Sequence, residues 1–302
     1  MINIKKYHLA YKILFSILIC IIFIFVVYPT TEVKFKEENL NKSIASSTHQ
    51  AYFFDSSTFT DAIEKVKYSD KNYPKPIIGG VVPHHLLPSF IIADFFKNLA
   101  KQKPETIILI GPNHYELGEE PILSSTSGWE TPFGIVEPDI EFVRELNDKK
   151  ILYLDEEVLD KEHSIGSIVP FIKYYIPDAK VVPIILSGNL EMEQIKNMVE
   201  TLVPRINKKT VILASMDFSH YQDKSQAEIN DEITLKLMRA KDYEKIINLN
   251  SAYVDSPPSI IALLMVMEKK GIDDFDLIYH TNAGEILHSQ FYEVTSYFSF
   301  AF

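Results

Sequence analysis

From residue 77 onward, short β-branched runs alternate with segments of helical periodicity, and this most restricts what the chain can fold into. Residues 77–83 form an apolar run ending at His84, and residues 88–102 follow with Phe90, Ile91, Phe95 and Leu99 on one helical face. Residues 106–110 are again strand-like and end at Gly111-Pro112-Asn113-His114. The pattern repeats with strands at 180–186 and 210–215, separated by a helix at 191–202. Further helices are expected at 226–238, 243–249 and 259–270, and late strands at 275–279 and 290–300. Apolar runs of strand length between helices predict an α/β fold: a largely parallel or mixed central sheet covered by helices on both faces.

That architecture gives the histidines a meaning. His84, His114 and His220 each lie at or just beyond the end of a strand-like run. Ligands of open α/β sheets bind outside the carboxyl ends of the strands. Three histidines far apart in sequence can therefore converge on one site. Asp217 lies three residues before His220, within a turn that can bring the two side chains together, so that the carboxylate orients the ring. Asp217 as a turn or helix-capping residue is the plainer alternative. Glu162-His163-Ser164 reads as a helix start. His85 follows His84 and points elsewhere in extended backbone. His280 ends a strand and can line the same face, whereas His8, His49 and His288 fall to tether or surface.

Several chemistries are disfavoured. There are 41 acidic against 30 basic residues, a net charge of -11, and no clustered basic face of the kind a nucleic-acid partner requires. The one cysteine, Cys20, lies in the first apolar run, leaving the rest without a disulfide, thiolate ligand or cysteine nucleophile. Neither a G-x-x-x-x-G-K-[ST] phosphate loop, nor a G-x-S-x-G elbow, nor an H-E-x-x-H helix occurs.

The N-terminus reads as a membrane anchor. Lys5, Lys6 and Lys12 precede an apolar run from Ile13 to Tyr28, closed by Pro29. At ~1.5 Å per residue the run is near the lower limit for a bilayer span. The basic flank puts residues 1–12 in the cytoplasm. Residues 13–29 are then a single-pass anchor, 30–50 a polar tether, and 51–302 an extracytoplasmic domain. The residues after the run offer no small-x-small cleavage site, so an uncleaved anchor is expected rather than a removed signal peptide.

A set of motifs then falls into a known order: Tyr52-Phe53-Phe54-Asp55, Val82-Pro83-His84, Gly111-Pro112-Asn113-His114, 128–134 (Gly-Trp-Glu-Thr-Pro-Phe-Gly), Glu162-His163-Ser164-Ile165, Pro170-Phe171, and 215–221 (Ser-Met-Asp-Phe-Ser-His-Tyr). From about residue 50 to the C-terminus the chain resembles the Memo family, whose bacterial and archaeal members are called AmmeMemoRadiSam system protein B. The resemblance implies a fold like the class III extradiol dioxygenases, which use non-haem iron, and a metal pocket with His84 and His114 among its ligands. The third family ligand is commonly a cysteine in a Cys-Gly-x-x-Pro-Ile context. Residues 255–260 (Asp-Ser-Pro-Pro-Ser-Ile) occupy that place, so Asp255 stands for the cysteine. Two histidines and a carboxylate form the facial triad of non-haem iron oxygenases. Alternatively, Asp255 only caps the following helix and metal binding is weakened. Gly166 and Ile168 replace the Glu and Gln the family often carries after its E-H-S-I motif, removing polar groups near His163.

Three functions follow as expectations. The first is a metal-dependent oxidoreductase, with a divalent metal (iron foremost, zinc or copper as alternatives) on His84, His114 and Asp255, and with His220, Asp217 and His163 moving protons. The second is a non-catalytic module binding a peptide or small ligand, as the family's animal member is linked to phosphopeptides and cell motility; Trp129 and Tyr221 would form its rim. The third is a zinc hydrolase. The family name further implies a link to AMMECR-type and radical-SAM proteins, which an extracytoplasmic domain would have difficulty meeting.

Overall fold

The computed structural model describes residues 48–50, 52–288 and 293–302. Its strands are β1 (Thr48–Gln50), β2 (Gly79–Val82), β3 (Thr106–Pro112), β4 (Ile122–Ser124), β5 (Gly128–Thr131), β6 (Gly134–Val136), β7 (Tyr153–Leu154), β8 (Lys180–Leu186), β9 (Thr210–Ser215), β10 (Asp276–Asn282) and β11 (Ser296–Ala301). Eight of them form one mixed sheet in the order β10-β11-β2-β9-β3-β8-β4-β7. Its middle, β2-β9-β3-β8, is parallel, while β11 and β4 join it antiparallel on either side. The expected α/β architecture is therefore present. The remaining strands form a small sheet, β1-β5-β6.

The strands are buried on both faces because their side chains alternate between two cores. Ile108 and Ile110 of β3 and Ile212 of β9 join one core. Ile107 and Leu109 of β3 and Val211 and Leu213 of β9 join the other. The helices are α1 (Ser56–Val66), α2 (Ser89–Leu99), α3 (Ile140–Asp148), α4 (Glu156–Lys161), α5 (His163–Gly166), α6 (Val169–Tyr175), α7 (Met192–Leu202), α8 (Lys224–Ala240), α9 (Tyr243–Ile246), α10 (Pro257–Lys269) and α11 (Ala283–Ile286). Apolar residues of α3, α7 and α10 fill the first core. Those of α1, α2 and α6 fill the second. Asp55 caps α1 by accepting from the Thr58 backbone N–H at 2.7 Å.

Three expectations need adjustment. Strand β1 falls within the stretch read as tether, and His49 on it is buried, not at the surface. The last strand spans 296–301, a shorter run than 290–300, and residues 289–292 lie outside the described residues. The segment 13–29, read as an anchor, also lies outside them; among the described residues no helix is long and apolar enough to cross a membrane.

Candidate metal centre

The strands that precede His84, His220 and His114 are β2, β9 and β3, and these are consecutive neighbours in the sheet. Adjacent strands lie about 4.8 Å apart, so residues just past their carboxyl ends are brought within side-chain reach of one another. His84 is two residues beyond β2 and nearly inaccessible. Its backbone N–H donates to Asp217 Oδ1 at 3.2 Å, and its carbonyl accepts from Ser167 Oγ at 2.9 Å.

His114 is held from below by Glu162. One carboxylate oxygen accepts from His114 Nδ1 at 2.7 Å and from the Ser164 backbone N–H at 2.8 Å. The other accepts from the His114 backbone N–H at 2.9 Å. Burial alone would raise the Glu162 carboxyl, but the bonds from His114 and Ser164 outweigh it and hold its pKa below the usual carboxylate range. With Glu162 ionised, His114 carries its proton on Nδ1 and presents the Nε2 lone pair. Sequence reasoning assigned Glu162 no role; the signal was an acidic residue directly before His163.

Short helix α5 brings in His163. It approaches the end of β3 because Gly111 has no side chain: a Cβ there would stand 2.6 Å from the Ser164 Cβ. Ser164 Oγ donates to the Pro112 carbonyl at 3.1 Å, and Ser215 Oγ to the Ser164 carbonyl at 2.6 Å, fastening α5 to the ends of β3 and β9. The His163 ring then stacks on His114 with centroids 3.8 Å apart and meets His84 edge-on at 5.0 Å.

The carboxylates complete the cluster. Residues 217 and 255 lie side by side: the Asp255 backbone N–H donates to the Asp217 carbonyl at 3.1 Å, and the Asp217 backbone N–H to Asp255 Oδ2 at 2.9 Å. Asp255 Oδ2 stands 3.3 Å from His84 Nε2 and 4.0 Å from His114 Nε2. Asp217 Oδ2 stands 3.6 Å from His84 Nε2. The three residues expected to hold metal thus meet. Ligand-type atoms of His84, His114 and His163 lie within 4.8 Å of one another, and so do those of His84, Asp217 and Asp255.

Asp217 does not orient His220. Backbone pairing between 217–218 and 254–255 turns the Asp217 carboxylate toward His84, while His220 is drawn aside by its N–H bond to the Ser251 carbonyl at 2.8 Å. His220 Nδ1 is buried without a partner, as are His84 Nδ1 and Asp255 Oδ1. His280, on β10, is also elsewhere: it bonds Asp231 at 2.8 Å and stacks on Phe298. His85 is exposed at the surface and bonds the Tyr297 hydroxyl at 3.2 Å. Trp129 is fully buried against His49 and so cannot form a rim, whereas Tyr221 is well exposed.

Electrostatics suit a cation. Burial, then the nearby Asp217 charge, pushes the Asp255 carboxyl well above its ordinary value. Burial raises Asp217 to about 7. On the other side, burial and the charges of neighbouring histidines pull His84 well down and His163 and His220 to about 4. At neutral pH the three rings are therefore neutral lone-pair donors. Two buried carboxylates that resist sharing negative charge, one with an orphaned oxygen, form with the imidazoles of His84, His114 and His163 an N/O donor set that fits a divalent metal.

The family model described as Memo-like protein matches residues 45–300. A MEMO1 family protein of Pyrobaculum arsenaticum is 30% identical over 220 residues, covering 69% of this chain and 77% of that protein. One from Methanosarcina barkeri is 32% identical, covering 70% and 81%, and one from Methanococcus maripaludis is 31% identical, covering 76% and 84%. With a match over nearly the whole described domain, in which the motifs of His84, His220 and His114 follow three neighbouring strands, this chain belongs to the Memo family.

Proposed function

We propose that this protein binds a divalent metal, iron foremost, through His84, His114 and Asp255, and acts as an oxidoreductase of the class III extradiol dioxygenase type on a small aromatic substrate. The observation that carries the reading is the meeting of two imidazoles, from the ends of β2 and β3, with the carboxylate just before α10: Asp255 Oδ2 stands 3.3 Å from His84 Nε2 and 4.0 Å from His114 Nε2. When bound, the metal supplies Lewis acidity and open coordination positions for substrate and dioxygen. Zinc or copper suits the same donors.

The chain's own groups divide the remaining work. Glu162 fixes the His114 tautomer, and Asp217 braces His84 through its backbone N–H. His163 walls one side by stacking on His114. His220, neutral above about pH 4 and only partly buried, can take a proton from a substrate hydroxyl. A pure binding module is less well supported, because Trp129, one of the two rim residues it needs, is inaccessible.

We further propose that the apolar run from Ile13 to Tyr28, with Lys5, Lys6 and Lys12 before it, anchors the domain outside the cytoplasm. Small-molecule or peptide ligands on that side would then be its partners.

The test is oxygen uptake by iron-loaded protein offered a panel of catechol-like substrates. Turnover is expected, with His220→Ala retaining iron but losing ~10²–10⁴-fold in rate. Stoichiometric iron with no oxygen uptake across the panel would refute the oxidoreductase reading.

A further inference from the structure

We propose that His49 is a positioning residue: it docks the N-terminal strand onto the domain and thereby holds Phe53 as a wall over His163. The inference concerns the shape of the histidine cluster and stands whether or not metal is bound.

Strand β1 is only three residues long, yet it is fastened at several points. It pairs parallel with β5 through Thr48, His49 and Gln50. The His49 ring is buried on Trp129, with centroids 4.5 Å apart. Its Nε2 lies 2.7 Å from Ser125 Oγ and 3.1 Å from Glu156 Oε2, and its Nδ1 lies 3.3 Å from Asp160 Oδ1. Asp160 also accepts from the Gln50 backbone N–H at 3.2 Å, and Gln50 Nε2 donates to Glu130 at 3.0 Å. Both ring nitrogens thus face acceptors rooted in α4 and the β4–β5 connection. A three-residue strand cannot hold itself by backbone pairing alone; the imidazole supplies the remainder.

A Ser125–His49–Asp160 line invites comparison with a hydrolase triad, but the arrangement serves docking. Ser125 is completely buried, and its hydroxyl also donates to Glu156, so no substrate carbonyl can reach it.

Phe53 lies four residues beyond His49. Its ring stands 5.5 Å from that of His163. It fits there because residue 166 is glycine: a Cβ at Gly166 would stand 3.0 Å from Phe53 Cδ2. Phe54 beside it packs on Phe59 and Phe133, which fixes the far end of the segment. The wall of the cluster is therefore supplied by the N-terminal segment and held between a polar clasp and an aromatic anchor.

Acylation by diethyl pyrocarbonate, which attacks neutral imidazole, tests this in the full, chelator-treated chain near pH 7, with modified histidines mapped by mass spectrometry. His280, held on β10 by Asp231, is the internal reference. We expect Phe53→Ala and His49→Ala each to raise the His163 rate several-fold with His280 unchanged, the double variant to add nothing beyond Phe53→Ala, and Phe53→Tyr to keep the wild-type rate. Asp160→Asn, which leaves the core intact, is expected to give a smaller rise at His163. An unchanged His163 rate in His49→Ala and Asp160→Asn, or a parallel rise at His163 and His280, would overturn the proposal.

Discussion

Glu162→Gln tests the site at the residue on which the most geometry depends. The Glu162 carboxylate has two oxygens and three donors: His114 Nδ1 and the Ser164 N–H on one, the His114 N–H on the other. A carboxamide offers a single oxygen. If its NH₂ faces the His114 backbone, a buried N–H loses its acceptor. If it faces Nδ1, the imidazole must take the tautomer with the proton on Nε2, which removes the lone pair from the cluster. An unsatisfied buried donor costs ~1–3 kcal/mol in stability. Loss of a partner that orients a metal-binding histidine lowers affinity ~10–100-fold, equivalent to ~1.4–2.7 kcal/mol. Competition with a chromophoric chelator at neutral pH reads the affinity, and denaturant unfolding of the metal-free form reads the stability. Metal affinity and stability both equal to wild type would refute the assignment of Glu162 as the group that sets His114.

Two further predictions concern the seat of α5 and the clasp around His49. Gly111→Ala places a Cβ 2.6 Å from the Ser164 Cβ, so α5 must shift outward; a loss of ~1–3 kcal/mol in urea unfolding is expected, together with weakened metal binding. Glu156 has its pKa lowered to about 2, because hydrogen bonds from His49, Ser125 and Thr126 outweigh the opposing effect of burial. Its folded value lies below its unfolded one, so its contribution is fully present above about pH 4.5 and disappears as pH falls toward 2. The stability gap between wild type and Glu156→Gln, measured by urea unfolding across that range, should close on acidification; a gap that is constant with pH would contradict the docking role of the carboxylate.

Much of the site could be read from the sequence because strand ends are legible where β-branched runs stop, and His84 and His114 sit at such stops. That β2, β9 and β3 are neighbours could not be read there, since sheet order is set by crossovers. The orientation of Asp217 is hidden from the sequence for a related reason. Its spacing to His220 suggests a local pair, whereas residues 254–255, nearly forty positions away, hold its backbone and aim it at His84. Strands β4 to β7, each two to four residues long, show no usable periodicity. His49 looks like part of a polar tether because the residues that bury it, Ser125, Trp129, Glu156 and Asp160, all come later in the chain. Asp255 could be read as a ligand or a helix cap; its side chain accepts from the Asp217 N–H and faces two imidazoles, while no side-chain cap bond to α10 is present.

Metal content tests the central claim most directly: the full chain, purified without oxygen, measured beside His84→Ala and Asp255→Ala by elemental analysis. The account predicts close to one metal per wild-type chain, with iron leading, and its loss in both variants. Wild-type protein that stays metal-free after iron, zinc and copper are each offered would contradict it.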